Sequence, residues 1–172
     1  MWALADTTIM ESVLTSWLWK LVAWLPGFVL SLVFTPSRLS KLIKIDLRPR
    51  HDPVTLNFGE IPYATIYLQI TNRSPFTLEL DRLHLELVYG SGLANLYYLE
   101  RTKMKSGSTT DIFVRNELSD AFAISGSRHT ENSPCRLEVK AEFNSRIASF
   151  GVRTGHLEGI RPSVVNVRKN IS

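Results

Sequence analysis

An alternation of apolar and polar residues with a period of two constrains the fold of this chain more than any other sequence feature. The clearest case is RLEVKAEF, residues 136–143, in which Leu137, Val139, Ala141 and Phe143 alternate with polar or charged residues. Successive side chains of a strand point to opposite faces, so this pattern predicts a strand with one buried face. TIYLQIT and FTLELDRLHLELVYG alternate in the same way, and the second forms either two strands or one bent strand.

Turn residues separate these stretches at 72–75, 90–92 and 105–108, where Asn, Ser, Gly and Pro cluster. One segment, NELSDAFAISG, breaks the alternation and predicts a short helix that Asn116 caps and Gly126 ends. About seven short strands with turns between them predict a mostly β fold. We expect an immunoglobulin-like antiparallel β-sandwich with one short helix, preceded by an N-terminal membrane helix.

That membrane helix is predicted from the apolar run over residues 12–34, which contains a single charged residue, Lys20. The run is about as long as the roughly 20 apolar residues that cross a bilayer. Three tryptophans surround Lys20, a composition typical of the headgroup boundary, and a proline then interrupts the helix. The run is therefore a single span or an interfacial anchor, with a buried core helix as the remaining alternative. The anchor residues are Trp17, Trp19, Lys20, Trp24, Pro26, Phe28 and Phe34.

Positive charge is concentrated directly after the apolar run. Between Pro36 and Arg50 five basic residues stand against one acidic residue, Asp46, an excess that equals the net charge of +4. Basic residues beside a span tend to stay in the cytoplasm, so we expect the β-domain on the cytoplasmic side. The same residues could instead bind anionic lipid. They are Arg38, Lys41, Lys44, Arg48 and Arg50. The remainder is nearly neutral, and nucleic-acid binding is not expected.

These patterns divide the chain into four parts. Residues 1–35 are the predicted membrane anchor and residues 36–53 a basic juxtamembrane linker. Residues 54–162 are the predicted β-sandwich, and residues 163–172 a C-terminal tail.

The run ITNRSPFTLELDRLHLELVYG, followed by KSGSTTDIFV and ELSDAF, resembles the late-embryogenesis-abundant group-two sandwich, also called the WHy domain. Asn72, Pro75 and Phe76 take the turn positions of that family, with Arg73 and Ser74 between the asparagine and the proline. The resemblance covers residues 54–162. It implies a binding or protective sandwich behind a membrane segment, without catalytic residues.

The residue inventory gives little support for catalysis. The four histidines, His51, His84, His129 and His156, lack the close spacing of metal ligands, and Cys135 is the single cysteine. The glycines at 90 and 92 lack the rest of a phosphate-binding loop. We therefore expect no enzyme, no metal site and no cofactor.

Four tyrosines are candidate contacts with a partner or with lipid: Tyr63, Tyr67, Tyr97 and Tyr98. The alternative is that they pack at the rim of the sandwich. Tyr97 and Tyr98 are adjacent, so on a strand they point to opposite faces.

Two functions remain open at this point. One is an interaction or accessory subunit of a larger membrane protein complex, in which partner helices satisfy Lys20. The other is a lipid-binding or lipid-transfer protein at the membrane surface, with a slot for an acyl chain.

Overall fold

The computed structural model describes residues 27–49, 52–129, 133–157 and 160–167. These residues form two five-stranded β-sheets and three short helices. The predicted mostly β, two-sheet architecture is confirmed, while its immunoglobulin-like topology stays a prediction.

The first sheet is built around its longest strand, β3. Its members are β1 (Ile43–Leu47), β2 (Val54–Asn57), β3 (Tyr63–Asn72), β7 (Thr109–Glu117) and β10 (Ser163–Val165). One edge of β3 pairs with β7, and the other edge pairs with β1 and β2 in turn. Strand β10 then pairs with β2 in parallel, so the prediction of a wholly antiparallel fold is wrong for this pair.

The second sheet is built in the same way around β4. Its members are β4 (Leu78–Tyr89), β5 (Gly92–Tyr98), β6 (Thr102–Met104), β8 (Cys135–Asn144) and β9 (Ser149–Arg153). Strand β4 pairs with β8 along one edge and with β6 and β5 along the other. Strand β8 continues into β9 and pairs with it as an antiparallel hairpin.

The segment that the sequence predicted as either two strands or one bent strand forms the single strand β4. It is continuous, with a register shift against β8 between Leu80 and Arg82. The shift explains why the leucine spacing changes from two to three after Leu80, because the irregularity returns Leu83 to the buried face.

Three helices flank the sheets: α1 (Gly27–Val33), α2 (Pro36–Lys41) and α3 (Asp120–Gly126). Thr35 caps α2, with Pro36 in its first turn. Gly126 is confirmed as the last residue of α3.

The predicted helix cap at Asn116 is wrong. Asn116 lies on β7 opposite Ala64, because the pairing with β3 continues to Glu117. The cap is Ser119, whose hydroxyl accepts a hydrogen bond from the Phe122 amide at 3.3 Å. The Asn116 side chain instead accepts a hydrogen bond from the Tyr97 amide and so links β7 to β5.

Regular structure extends into the ranges that the sequence assigned to a linker and a tail. Range 36–53 contains α2 and β1, and range 163–172 contains β10. The physical reason in β1 is a short alternation, since Ile43 and Ile45 are buried while Lys44 between them is exposed. Basic residues on both sides of these isoleucines favoured the linker interpretation.

The core lies between the sheets and reaches the end of the apolar run. Leu68, Leu85 and Val139 are among its fully buried residues. Leu30 of α1 is also buried, and the Phe34 ring meets Phe76 edge-on at 5.0 Å between centroids. Among the described residues, no helix is both long and apolar enough to cross a membrane. Most of the predicted anchor, residues 1–26 of 1–35, lies outside them.

Candidate interaction surfaces

An aromatic cluster lies on the outer side of the first sheet. The pairing of β3 with β7 sets Tyr67 opposite Phe113, and their ring centroids are 5.0 Å apart. The Arg115 guanidinium lies 4.1 Å from the centroid of the Tyr63 ring, within the range of a cation–π contact. Phe113 is 49% exposed. We call Tyr63, Tyr67, Phe113 and Arg115 the aromatic face.

The other two candidate tyrosines lie on the second sheet. Tyr97 is exposed and stacks on His84, with centroids 4.9 Å apart and rings nearly parallel. His84 Nε2 lies 3.0 Å from Asn95 Oδ1. Tyr98 points the other way, and its hydroxyl is 3.0 Å from Thr102 Oγ1. The four tyrosines therefore do not form one surface; only Tyr63 and Tyr67 lie together.

An ion-pair network covers the outer side of the second sheet. Lys140 donates a hydrogen bond to Glu86 and lies 3.6 Å from Glu138, which accepts a hydrogen bond from Arg153. The Arg153 hydrogen bond lowers the pKa of Glu138, and the Glu86 hydrogen bond raises the pKa of Lys140. Each group is thus held more firmly in its ordinary charged form, which suits a structural network better than proton transfer.

Asn72, a turn position in the family resemblance, is completely buried. Its amide donates to the carbonyls of Phe76 at 2.8 Å, Met104 at 3.2 Å and Lys105 at 3.0 Å. Its oxygen accepts from the Ser74 amide at 2.9 Å and the Ser74 hydroxyl at 2.6 Å. This side chain therefore ties the β3–β4 turn to the β6–β7 turn.

The basic flank is partly engaged within the protein. Arg38 Nη1 donates to the Val33 carbonyl at 2.9 Å. Lys44 pairs with Asp46 at 2.8 Å, and Arg48 pairs with Asp111 at 2.9 Å. Lys41 is exposed on α2. The following predicted residues lie outside the described part of the chain: Trp17, Trp19, Lys20, Trp24, Pro26, Arg50 and the side chain of Phe28.

The surroundings of Cys135 and His129 fit a structural role. Burial raises the pKa of the Cys135 thiol to about 11, so it is protonated at neutral pH. His129 packs edge-on against Tyr89 at 6.0 Å. In the ranges that the structure describes, no three His, Cys, Asp or Glu side chains are grouped to hold a metal ion. His51 lies outside those ranges.

An open groove of about 310 Å³ lies where the β8–β9 turn approaches the start of β4. It is lined by Thr77, Leu78, Glu79, Lys103, Asn144, Ser145 and Arg146. Sequence reasoning did not find this groove because its residues come from three separate stretches of chain. It also did not select Phe113 and Arg115, although their outward position follows from the alternation in DIFVRN.

Comparison with known proteins finds no matching family model and no matching curated protein. Solved structures do match. An X-ray structure of a structural-genomics target, SoR45, is 8% identical, with 71% of this chain and 87% of that chain covered and a TM-score of 0.49. A crystal structure described as ApaA from Bordetella pertussis is 11% identical, with coverages of 74% and 92% and a TM-score of 0.43.

A solution structure described as a late embryogenesis abundant (LEA) protein is 16% identical, with coverages of 91% and 87% and a TM-score of 0.42. A protein of the class expected from the sequence is therefore among the matches, while no family model assigns this chain to the WHy family. These likenesses are too distant to carry an argument about function.

Proposed function

We propose that this chain is a non-catalytic, membrane-anchored β-sandwich that acts as an interaction or accessory subunit of a larger membrane protein complex. The observation that carries the proposal is the aromatic face. Two aromatic rings and an arginine stacked on a third ring occupy the solvent side of a strand pair. Aromatic residues and arginine are the types enriched at protein interfaces and their energetic centres.

The apolar N-terminal run supports the membrane part of the proposal. Lys20 within that run is easier to accommodate when a partner helix offers it a polar contact. The buried Leu30 and the contact between Phe34 and Phe76 join the end of the run directly to the sandwich. On this proposal the anchor occupies residues 1–35 and the sandwich faces the cytoplasm beside its partner.

We also infer that the sandwich is immunoglobulin-like and of the WHy type. The support is Asn72, which takes the turn position of that family and whose side chain makes three hydrogen bonds within this turn and two to the β6–β7 turn. A turn organised in this way gives a physical reason for an asparagine at that position.

A lipid-handling protein would need a slot between or beneath the sheets. The layer between the sheets contains fully buried side chains from both, including Ile66, Leu68, Leu85, Leu87 and Val139. This packing favours the interaction module, because opening a slot would require separating these side chains.

The test is gentle purification of the full-length protein from its native membrane, followed by mass spectrometry of what accompanies it. We expect a stoichiometric set of membrane proteins. Tyr67→Thr combined with Phe113→Thr should reduce their recovery at least tenfold, as loss of about 1.4 kcal/mol of binding free energy would. Lys20→Leu should also weaken the association.

Leu93→Thr is the matched control, because Leu93 is an exposed apolar residue, 58% accessible, on the second sheet. It should leave recovery unchanged. Recovery of the wild-type protein alone, or with lipid only, would contradict the proposal and favour lipid handling. Equal losses for Leu93→Thr and the aromatic pair would contradict the assignment of the contact to the aromatic face.

A further inference from the structure

One end of the sandwich gathers positive charge from four distant stretches of chain. Segments 35–44, 71–79, 103–109 and 143–149 meet there: Ile43 pairs with Asn72, Leu78 with Met104, and Glu79 with Asn144. Glu79 is the single acidic residue in these four segments. They carry seven exposed basic residues, which we call the basic end: Arg38, Lys41, Lys44, Arg73, Lys103, Lys105 and Arg146.

The opposite end differs in charge. Strand β4 runs from one end to the other over 12 residues, about 36 Å at the usual rise of a strand. At the far end, basic and acidic residues are balanced: Arg115, Arg128 and Arg136 with Glu60, Glu117 and Asp120. The sandwich is therefore electrostatically polarised along its strands.

Carboxylates near the basic end neutralise only part of it. Asp46 pairs with Lys44, and Asp111 pairs with Arg48, which is not one of the seven. Glu79 lies opposite Lys103 in the pairing of β4 with β6, and it is also 3.8 Å from Arg101, which is outside the seven. Arg146 lies over the Phe76 ring, 5.4 Å from its centroid. A large positive excess remains at this end of the molecule.

The apolar run enters the sandwich at the same end. Phe34 contacts Phe76 there, and the basic residue Arg146 lies over the same Phe76 ring. Leu32 and Val33 of α1 are 78% and 50% exposed. Exposed apolar side chains beside basic ones are the combination that binds the boundary between headgroups and acyl chains.

We propose that the basic end seats the sandwich on the anionic lipid headgroups of the bilayer that holds its anchor. The inference rests on the proposed membrane attachment but not on any protein partner. It adds Arg73, Lys103, Lys105 and Arg146 to the lipid contacts that the sequence suggested. Each basic residue near an anionic surface strengthens binding about fivefold, so three of them together contribute up to about a hundredfold.

The experiment uses the full-length chain in vesicles of phosphatidylcholine alone or with phosphatidylserine at about 2:1. An environment-sensitive dye is attached at Thr77→Cys, an exposed position at the basic end, in a Cys135→Ala background. We expect blue-shifted emission in the anionic vesicles only. The shift should be present near 0.1 M salt and lost near 1 M, where the screening length falls from about 10 Å to 3 Å.

Charge removal supplies the decisive comparison. Arg73→Gln, Lys103→Gln and Lys105→Gln together should weaken the binding of the sandwich to the anionic vesicle surface up to about a hundredfold. Arg128→Gln and Arg136→Gln together remove positive charge from the far end and should leave the emission unchanged. All five residues are exposed, and circular dichroism checks that both variants are folded.

The possible failures are distinguishable. If the emission is the same in both kinds of vesicle and the protein resists alkaline extraction, the binding of the basic end to anionic headgroups is contradicted. The proposed membrane attachment would then still hold. Release of the protein from the vesicles by alkaline extraction contradicts the proposed membrane attachment. It also contradicts the binding of the basic end to headgroups, which rests on that attachment. A dye response to added oligonucleotide but not to phosphatidylserine overturns the seat in favour of a nucleic-acid surface.

Discussion

At the scale of single residues, Asn72 joins two turns that are far apart in sequence. The Met104 and Lys105 carbonyls that its amide reaches lie 32 and 33 residues further along the chain. Each hydrogen bond of such a buried amide adds little net stability to the fold. Removing the amide is nevertheless costly, because its hydrogen-bond partners stay buried and lose their bonds. The sequence identified Asn72 through a turn pattern, but not this long-range role.

Asn72→Ala should therefore lower the free energy of unfolding by about 3–5 kcal/mol, since several buried donors and acceptors lose their partner at once. The measurement is chemical denaturation of the full-length protein in detergent, followed by near-ultraviolet circular dichroism. Thr77→Ala, an exposed change in the same turn, should alter stability by less than about 0.5 kcal/mol. A loss below about 1 kcal/mol for Asn72→Ala would contradict the role given to this side chain.

Glu138 gives the fold a predictable response to acid. Its pKa is lowered by the Arg153 hydrogen bond, so its contribution is present above the ordinary carboxyl pKa and is lost as the pH falls through the lowered value. Glu138→Gln should destabilise the protein at pH 7, and the difference from wild type should shrink toward acid pH. The comparison is denaturation across pH. Glu142→Gln, on the same strand and 59% exposed at its side chain, is the control and should alter stability at pH 7 less than Glu138→Gln does.

At the scale of elements, periodicity predicted the long strands but not the short ones. The alternation in β8 and β3 extends over ten residues each, whereas β2 and β10 have four and three residues, too few to define a period. The predicted cap at Asn116 failed because tertiary pairing extended β7 past a residue with good local capping chemistry. Local propensity yields to such pairing when the strand already has a partner along its length.

Gly126, the last residue of α3, is a glycine for a packing reason. A Cβ at this position would lie 2.5 Å from Cζ of Phe58, which is fully buried. Gly126→Ala should therefore cost about 1–3 kcal/mol through overpacking. Gly155→Ala, which meets no atom within 4 Å, is the control and should be nearly neutral.

The Gly126 prediction is tested by denaturation together with a second change, Phe58→Leu. The double variant should lose less stability than the sum of the two single variants, because the smaller side chain makes room for the new methyl group. Strict additivity would contradict the proposed contact.

At the scale of the whole molecule, the sequence predicts an anchor and a basic flank but not the surfaces that the fold assembles. The aromatic face combines β3 with β7, and the basic end combines four segments, so both depend on strand pairing that a single sequence does not specify. Of the four candidate tyrosines, pairing kept Tyr63 with Tyr67 and placed Tyr97 on the other sheet. In each case the sequence alone does not show which distant stretches of the chain lie close together in the fold.

The contact between the end of the apolar run and the sandwich determines whether the two move together as one rigid unit. Phe34 meets Phe76 edge-on, an arrangement worth about 0.5–1.5 kcal/mol beyond the area that it buries. Phe34→Ala should lower the stability of the full-length protein and speed hydrogen exchange across residues 35–42, because α2 begins two residues after Phe34. Hydrogen-exchange mass spectrometry in detergent measures the second effect.

Leu32→Ala is the control for the joint, because Leu32 is a neighbouring apolar residue that is 78% exposed. It should leave exchange in 35–42 unchanged. A double-mutant cycle of Phe34→Ala with Phe76→Ala should give a coupling of about 0.5–1.5 kcal/mol. Zero coupling with unchanged exchange would mean that the sandwich moves independently of the apolar run. A fixed orientation of the aromatic face toward the proposed partner would then have no structural basis.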